Sequence, residues 1–341
     1  MAKSGSLKYY IAVRCALAPL MIWTATTIVF LLLRVIGGDP VEARLGPKAP
    51  PEVKQQIREQ MGLTGPLWQQ YLDYIGHVFR LDLGTSLETQ GLKVNEIISS
   101  FFPATVELAV ISLAIAFLMG LGVGSLSASK PNSAWDLFGR LFGIITYAVP
   151  PFWAGMLMQL IFAVQLGWFP IGTRYPITQT PPEAITGLYT VDSLLAGNFA
   201  AFGTSIYYLF LPCLTLGLLL SGIFERIVRV NLRQSLQADY VEAARARGIG
   251  ERRILFVHAL KNAMIPVITI LGLTLAALLG GALLTEVTFS WPGLASRLFQ
   301  AISSRDYTTV QGIIVFFAAI VVLASILIDI LSAYVDPRIR Y

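Results

Sequence analysis

Chemistry at a protein site needs reactive side chains at compatible spacing, and this chain of 341 residues offers few of them. Its two histidines, His77 and His258, and its two cysteines, Cys15 and Cys213, stand far apart, and neither histidine has a second His, Cys or acidic partner at metal-ligand spacing. The pattern predicts no metal site, no disulfide framework and no redox role. A phosphate-cradling P-loop requires a Gly-Lys-Ser/Thr step, yet none of the seven lysines follows a glycine. No catalytic constellation emerges, so no catalytic residue is expected. What the chain does carry is a short, sharply bounded helix. Asp239 stands where a side chain can cap a helix whose third position is Glu242, and Gly248 stands where that helix would end through a left-handed residue. Between them Tyr240, Val241, Glu242, Ala243, Ala244, Arg245, Ala246 and Arg247 make about two turns of free-standing helix, with small residues that permit close approach and charge around them. Gly250 then opens a further helix that runs through Leu255, Leu260 and Asn262 to Pro266.

The elements that must hold this piece are read from composition. The chain is 55% hydrophobic and 13% charged, with a mean hydropathy of +0.67, whereas soluble domains are about one quarter charged. Lipid is therefore its main solvent, and a net charge of +5 is read as loop placement rather than as affinity for nucleic acid. Six long uncharged stretches follow: 15–33, 108–129, 141–173, 193–224, 262–285 and 307–328. The third is interrupted by Pro150-Pro151 and Pro170, and the fourth is too long for one span, so its 197–205 part reads as loop with the helix starting near Tyr207. The first lacks a small-residue cleavage site and reads as a retained helix rather than a signal peptide. The expectation is an all-α polytopic membrane protein of six transmembrane helices. With a cytoplasmic N-terminus, 15 of the 25 basic residues fall on the cytoplasmic side. Both termini are then cytoplasmic.

Three segments are expected. Residues 1–36 hold a tail and the first helix, residues 37–100 an extracytoplasmic amphipathic segment, and residues 101–341 a core with a cytoplasmic loop at 225–263. In the outer segment Pro50-Pro51 opens a short helix ending at Gly62, and Gly65-Pro66 starts a second one with Leu67, Tyr71, Ile75, Val78 and Phe79 on its apolar face. Glu107, Glu286 and Asp329 lie at or near the ends of uncharged stretches, which suits interfacial packing better than a midplane ion pathway. Glu286 also begins an outer loop bearing Trp291, a candidate outer gate. Pro150-Pro151 should kink the third span and free backbone groups, a condition tolerated beside a water-filled cavity, so Phe152 and Trp153 are candidate pathway residues. Glycines 120, 122 and 124, and 272, 280 and 281, would let helices pack closely. A self-sufficient ion-coupled secondary transporter or channel is the alternative function, although no internal repeat is visible.

The run Glu242-Ala243-Ala244, three residues, then Gly248 resembles the signature of permease subunits of ABC importers. Where the general permease pattern continues Ile-x-Leu-Pro, this chain has His258-Ala259-Leu260-Lys261-Asn262-Ala263 and Pro266, which resembles the dipeptide, oligopeptide and nickel subgroup. Further matches to that subgroup include 82–86, 103–105, 151–153, 167–170, 289–293, 305–307 and 336–341, so the resemblance covers nearly the whole chain. It implies a type I ABC importer transmembrane domain. Asp239, Tyr240, Glu242, Ala243, Ala244, Gly248, His258 and Asn262 would couple it to separate ATPase subunits. ATP and Mg would bind in those partners and no cofactor in this chain. The other implied partners are a second homologous permease, an extracytoplasmic solute-binding protein and the lipid bilayer.

Overall fold

The computed structural model describes residues 7–36, 40–46, 48–60, 63–86, 88–89 and 91–335. Lys3, Gly37, Met61, Gly62 and the closing run 336–341, which entered the sequence reading, lie outside the described residues.

Helix follows helix along the chain. α1 (Leu7–Leu31) runs into a wide-turn π segment (Leu32–Ile36). The segment that follows carries α2 (Pro40–Leu45), α3 (Pro51–Gln60) and α4 (Leu67–Phe79). The latter two arise where the proline pairs and the spacing of apolar residues placed them. α5 (Val94–Ser129) then crosses residue 100 without a break, with Pro103 about two and a half turns inside it. α6 (Ala134–Ala148) and α7 (Pro151–Met158, with a π continuation Gln159–Gln165) are bent by 101° at Pro150-Pro151. The expected kink is a full change of direction, since two successive prolines remove two backbone donors and bar the helical conformation before each ring.

α8 (Tyr189–Leu195) precedes α9 (Phe199–Leu236), the longest helix. Here the expected loop at 197–205 is corrected: Asn198 Oδ1 accepts from the Ala201 amide at 3.0 Å, and this cap starts the helix at Phe199. At 38 residues α9 is about 57 Å long, well beyond the roughly 30 Å of a hydrocarbon core. It therefore projects past the bilayer before reaching α10 (Asp239–Ala246). α11 (Glu251–Arg253) passes through a π segment (Ile254–Ala259) into α12 (Leu260–Leu279), and α13 (Leu283–Thr288), α14 (Leu294–Ser303) and α15 (Tyr307–Val335) complete the described chain.

Five of these units are long and apolar enough to cross a membrane, or six if the bent α6–α7 pair is one span. The core forms where α5 and α9 pack side by side, with Leu108, Leu113, Leu209, Leu216 and Phe224 buried between them. Lipid supplies no hydrophobic drive between helices, so close contact must do the work. Gly120 and Gly124 provide it: a Cβ on either would lie 2.8 Å or less from the backbone of Glu225 or its neighbours on α9. Gly272 likewise lies against Ile328 of α15, whereas Gly122 faces open space.

Candidate functional site

α10 hangs from the projecting end of α9. Its N-cap is Ala238, in extended conformation and with no side-chain cap bond, so the expectation that Asp239 caps the helix is corrected. Asp239 and Glu242 occupy the first turn instead, where carboxylates oppose the positive end of the helix dipole. The other end is as the spacing predicts. Gly248 has φ +75°, the Gly248 amide donates to the Arg245 carbonyl at 2.9 Å, and the Ile249 amide donates to the Ala244 carbonyl at 3.2 Å. These two bonds make a Schellman motif, and Ile249 packs against the same cluster as Ala244.

The helix is not free-standing. Val241 and Ala244 are buried against Leu232 of α9, Ala128 of α5, and Ile254, Ala259 and Ala263 on the way into α12. The opposite face carries Glu242, Ala243 and Ala246, and Tyr240 and Arg245 flank it, all exposed. The two alanines of the signature thus have different tasks, Ala244 holding the helix down and Ala243 lying open on its outer surface. His258 is half-buried with an enclosed, unpartnered Nε2. Asn262 is exposed, its Nδ2 in long contact (3.5 Å) with the His258 carbonyl. Neither side chain lies on the open face formed by Ala243 and its neighbours.

Behind α10 sits a group of charges that sequence reasoning passed over. Asp136, at the start of α6, is 1% exposed and receives Ser127 Oγ at 3.1 Å and the Asn132 amide at 3.2 Å. Arg233 Nη2 of α9 lies 2.6 Å from its Oδ1, and Arg140 Nη2 lies 3.7 Å from its Oδ2. Just over two turns back along α9, Glu225 is equally buried and takes Arg229 Nε at 2.7 Å. Glycines 139 and 143 on α6 leave the room that the Glu225 carboxylate fills. The i,i+4 spacing of Glu225 and Arg229 was visible in the sequence. The meeting of Asp136 with Arg233 was not, because it joins helices far apart in the chain.

At the other end of the bundle the candidate gate residues Glu286 and Trp291 are packed between helices. Glu286 is fully buried, accepting from Thr105 Oγ1 and the Ser296 amide, each at 2.8 Å, with Gly293 pressed against its carboxylate. Trp291 is 1% exposed and donates from Nε1 to the Ala104 carbonyl at 2.9 Å. Both therefore clamp the 282–296 segment onto α5. Glu107 is also a clamp: Arg174 reaches its Oε2 from Nη2 at 2.8 Å, and Thr190 donates to its Oε1 from amide and hydroxyl. Asp329 pairs with Arg14 at 3.1 Å. Of the four pathway candidates, Phe152 and Trp153 alone present surface, each nearly half exposed at the start of α7 just past the 101° bend.

Membrane-crossing helices with α10 packed on the projecting end of one of them form the membrane component of a transport system. A profile of the binding-protein-dependent transport system inner membrane component matches residues 120–341, and one for the N-terminal region of such membrane components matches residues 7–109. The chain belongs to this family of permeases, multi-pass proteins of the cytoplasmic membrane. Over 317 residues it is 38% identical to a dipeptide transport system permease protein of Alkalihalophilus pseudofirmus, covering 93% of this chain and 94% of that one. A di/tripeptide transport system permease protein of Pseudomonas aeruginosa is 38% identical over 333 residues, 97% of this chain and 98% of its own. An oligopeptide transport system permease protein of Bacillus subtilis is 34% identical over 316 residues, 93% of this chain and 94% of its own.

Proposed function

We propose that this chain forms one half of the translocation path of an ATP-driven importer of short peptides, with a second, homologous permease as the other half. Its N- and C-termini are cytoplasmic, and the bent α6–α7 pair counts as one of six spans. The open face of α10, with Ala243 at its centre, docks in a cleft of an ATP-hydrolysing subunit that holds the ATP and Mg. An extracytoplasmic binding protein delivers the solute on the far side. The names of the related permeases support peptides as the cargo class.

The observation that carries this reading is the division of α10 into a buried face and an open one. A force applied to the open face cannot be absorbed by local sliding, because Val241 and Ala244 are locked among residues from α5, α9 and α12. Movement of the partner is thereby passed to the spanning helices, which rock the path between inward-open and outward-open arrangements. Phe152 and Trp153 stand where freed backbone at the proline break faces that path.

The test is reconstitution in vesicles. Assembled with its ATPases, second permease and binding protein, the complex should accumulate peptide on addition of ATP. Ala243→Asp should abolish uptake while leaving the chain folded. Peptide uptake by the chain alone, driven by an ion gradient, would sink the proposal and restore the secondary-transporter reading.

A further inference from the structure

Two cavities lie against α4, one polar and one apolar, and they share Leu83. The polar one, about 380 Å³, is lined by the outer end of α1 at Arg34 and by Thr308, Gln311 and Gly312 at the start of α15. The apolar one, about 680 Å³, is lined further along the same helices, by Pro19, Trp23 and Thr26 of α1 and by Val315, Phe316 and Ala319 of α15. Ala319 stands two turns beyond Gln311, so the pair of chambers is stacked along the helix axes over about 12 Å. α4 forms a shared wall, turning Ile75, Val78 and Phe79 to the apolar chamber and Gln70, Tyr74 and His77 to the polar one.

The polar chamber is chemically unsatisfied. Arg34 Nη1, Tyr74 Oη, Gln311 Nε2 and Gln70 Oε1 are all buried and all without a hydrogen-bond partner, and Gln311 as a residue is only 6% exposed. Buried polar groups are rarely left so, and four around one cavity point to an absent occupant. Phe30 holds two of them in place, stacking on Tyr74 at 5.6 Å with the Arg34 guanidinium 5.9 Å from its ring. The chamber carries both signs of charge. Arg34 lies on one side, and Glu59, Asp73 and Asp82 also line it. A simple anion would meet those carboxylates, and a simple cation would meet Arg34.

We propose that this cleft holds one phospholipid with a zwitterionic headgroup. Its phosphate accepts from Arg34, Tyr74 and Gln311, its ammonium is received by Gln70 Oε1 and the carboxylates, and an acyl chain fills the apolar chamber. The polar chamber lies at the interfacial end of two spanning helices and the apolar one at hydrocarbon depth, which is the arrangement of a lipid in its leaflet. A bound lipid here would fasten α4 to α1 and α15.

The full chain, purified in mild detergent and stripped of loose lipid, should retain one phosphatidylethanolamine by native mass spectrometry and take up phosphatidylglycerol at least tenfold less well. Arg34→Ala and Gln311→Leu should each lower retention at least tenfold. Ala319→Phe, which fills the apolar chamber without touching the polar one, should do the same with helicity and melting unchanged. Should a variant fail to fold, photo-crosslinking of the wild-type chain by a phosphatidylethanolamine with a diazirine on its acyl chain should label Phe316 and its neighbours. No retention, equal retention of both lipids, labelling elsewhere, or retention untouched by the variants overturns the proposal. So does displacement of the lipid by a dipeptide, which would mark a solute site, or by the second permease, which would mark a protein interface.

Discussion

Gly248 shows how much one backbone angle decides at the residue scale. Nothing lies within 4 Å of where its Cβ would be, so a substitution there costs only the strain of φ +75°. Gly248→Ala should destabilise the end of α10 by about 1–2 kcal/mol, read as faster amide exchange at Gly248 and Ile249 with the spanning helices unchanged. Gly248→Asn should recover most of that loss. Asp192, in the first turn of α8, offers a pH test. It is fully buried, which alone would raise its pKa, but Thr186 donates from amide and hydroxyl and the Ile185 and Gly187 amides add two more bonds. These hold the carboxyl below its ordinary value. A group depressed in the folded state stabilises above its unfolded pKa of about 3.9 and loses that contribution as pH falls through the folded value. Amide protection at 185–187 should therefore persist down to about pH 4 and fall below it. Asp192→Asn should show weaker protection at neutral pH and no such acid step.

Among the elements, α10 and the end of α9 act as one unit, and two kinds of mutation should separate their roles. Val241→Asp places a charge among Leu232, Ile254 and Ala263 and should cost at least about 3 kcal/mol, lowering the melting temperature as well as transport. Ala243→Asp, on the open face, should leave melting unchanged and remove only ATP-dependent uptake. The contact of Asp136 with Arg233 ties α6 to the same lever. Arg233→Ala leaves Asp136 buried with Ser127 and the Asn132 amide as its close partners, and should cost roughly 2 kcal/mol. A double-mutant cycle with Asp136→Asn should return a coupling energy above about 0.5 kcal/mol. Additive losses would show that the two side chains merely lie close.

For the molecule as a whole, the orientation in the bilayer is open to direct chemical test. In a chain with Cys15 and Cys213 replaced by serine, Ala246→Cys should react with a membrane-impermeant maleimide only from the cytoplasmic side. Ile177→Cys, at one of the most exposed side chains, should react only from the opposite side. With the N-terminus cytoplasmic, the exchanged pattern, Ile177→Cys reacting from the cytoplasmic side and Ala246→Cys from the opposite one, would mean that the α6–α7 pair turns back within the bilayer instead of crossing it.

Lipid residence, the approximate positions of the spanning stretches, the amphipathic helices after Pro51 and Pro66, and the left-handed stop at Gly248 were legible in the sequence. Each follows from local rules: apolar length against bilayer thickness, helical periodicity, and the angles that proline and glycine permit. The start of α9 was misplaced because a run of glycine and small residues reads as loop until the Asn198 cap is seen. Only tertiary structure decided that Glu286 and Trp291 are buried clamps, that Ala243 is open while Ala244 is closed, and that Asp136 meets Arg233. The reason is physical: whether a polar or small side chain faces a partner, lipid or a neighbouring helix depends on contacts between segments far apart in the chain. Local spacing records nothing of them.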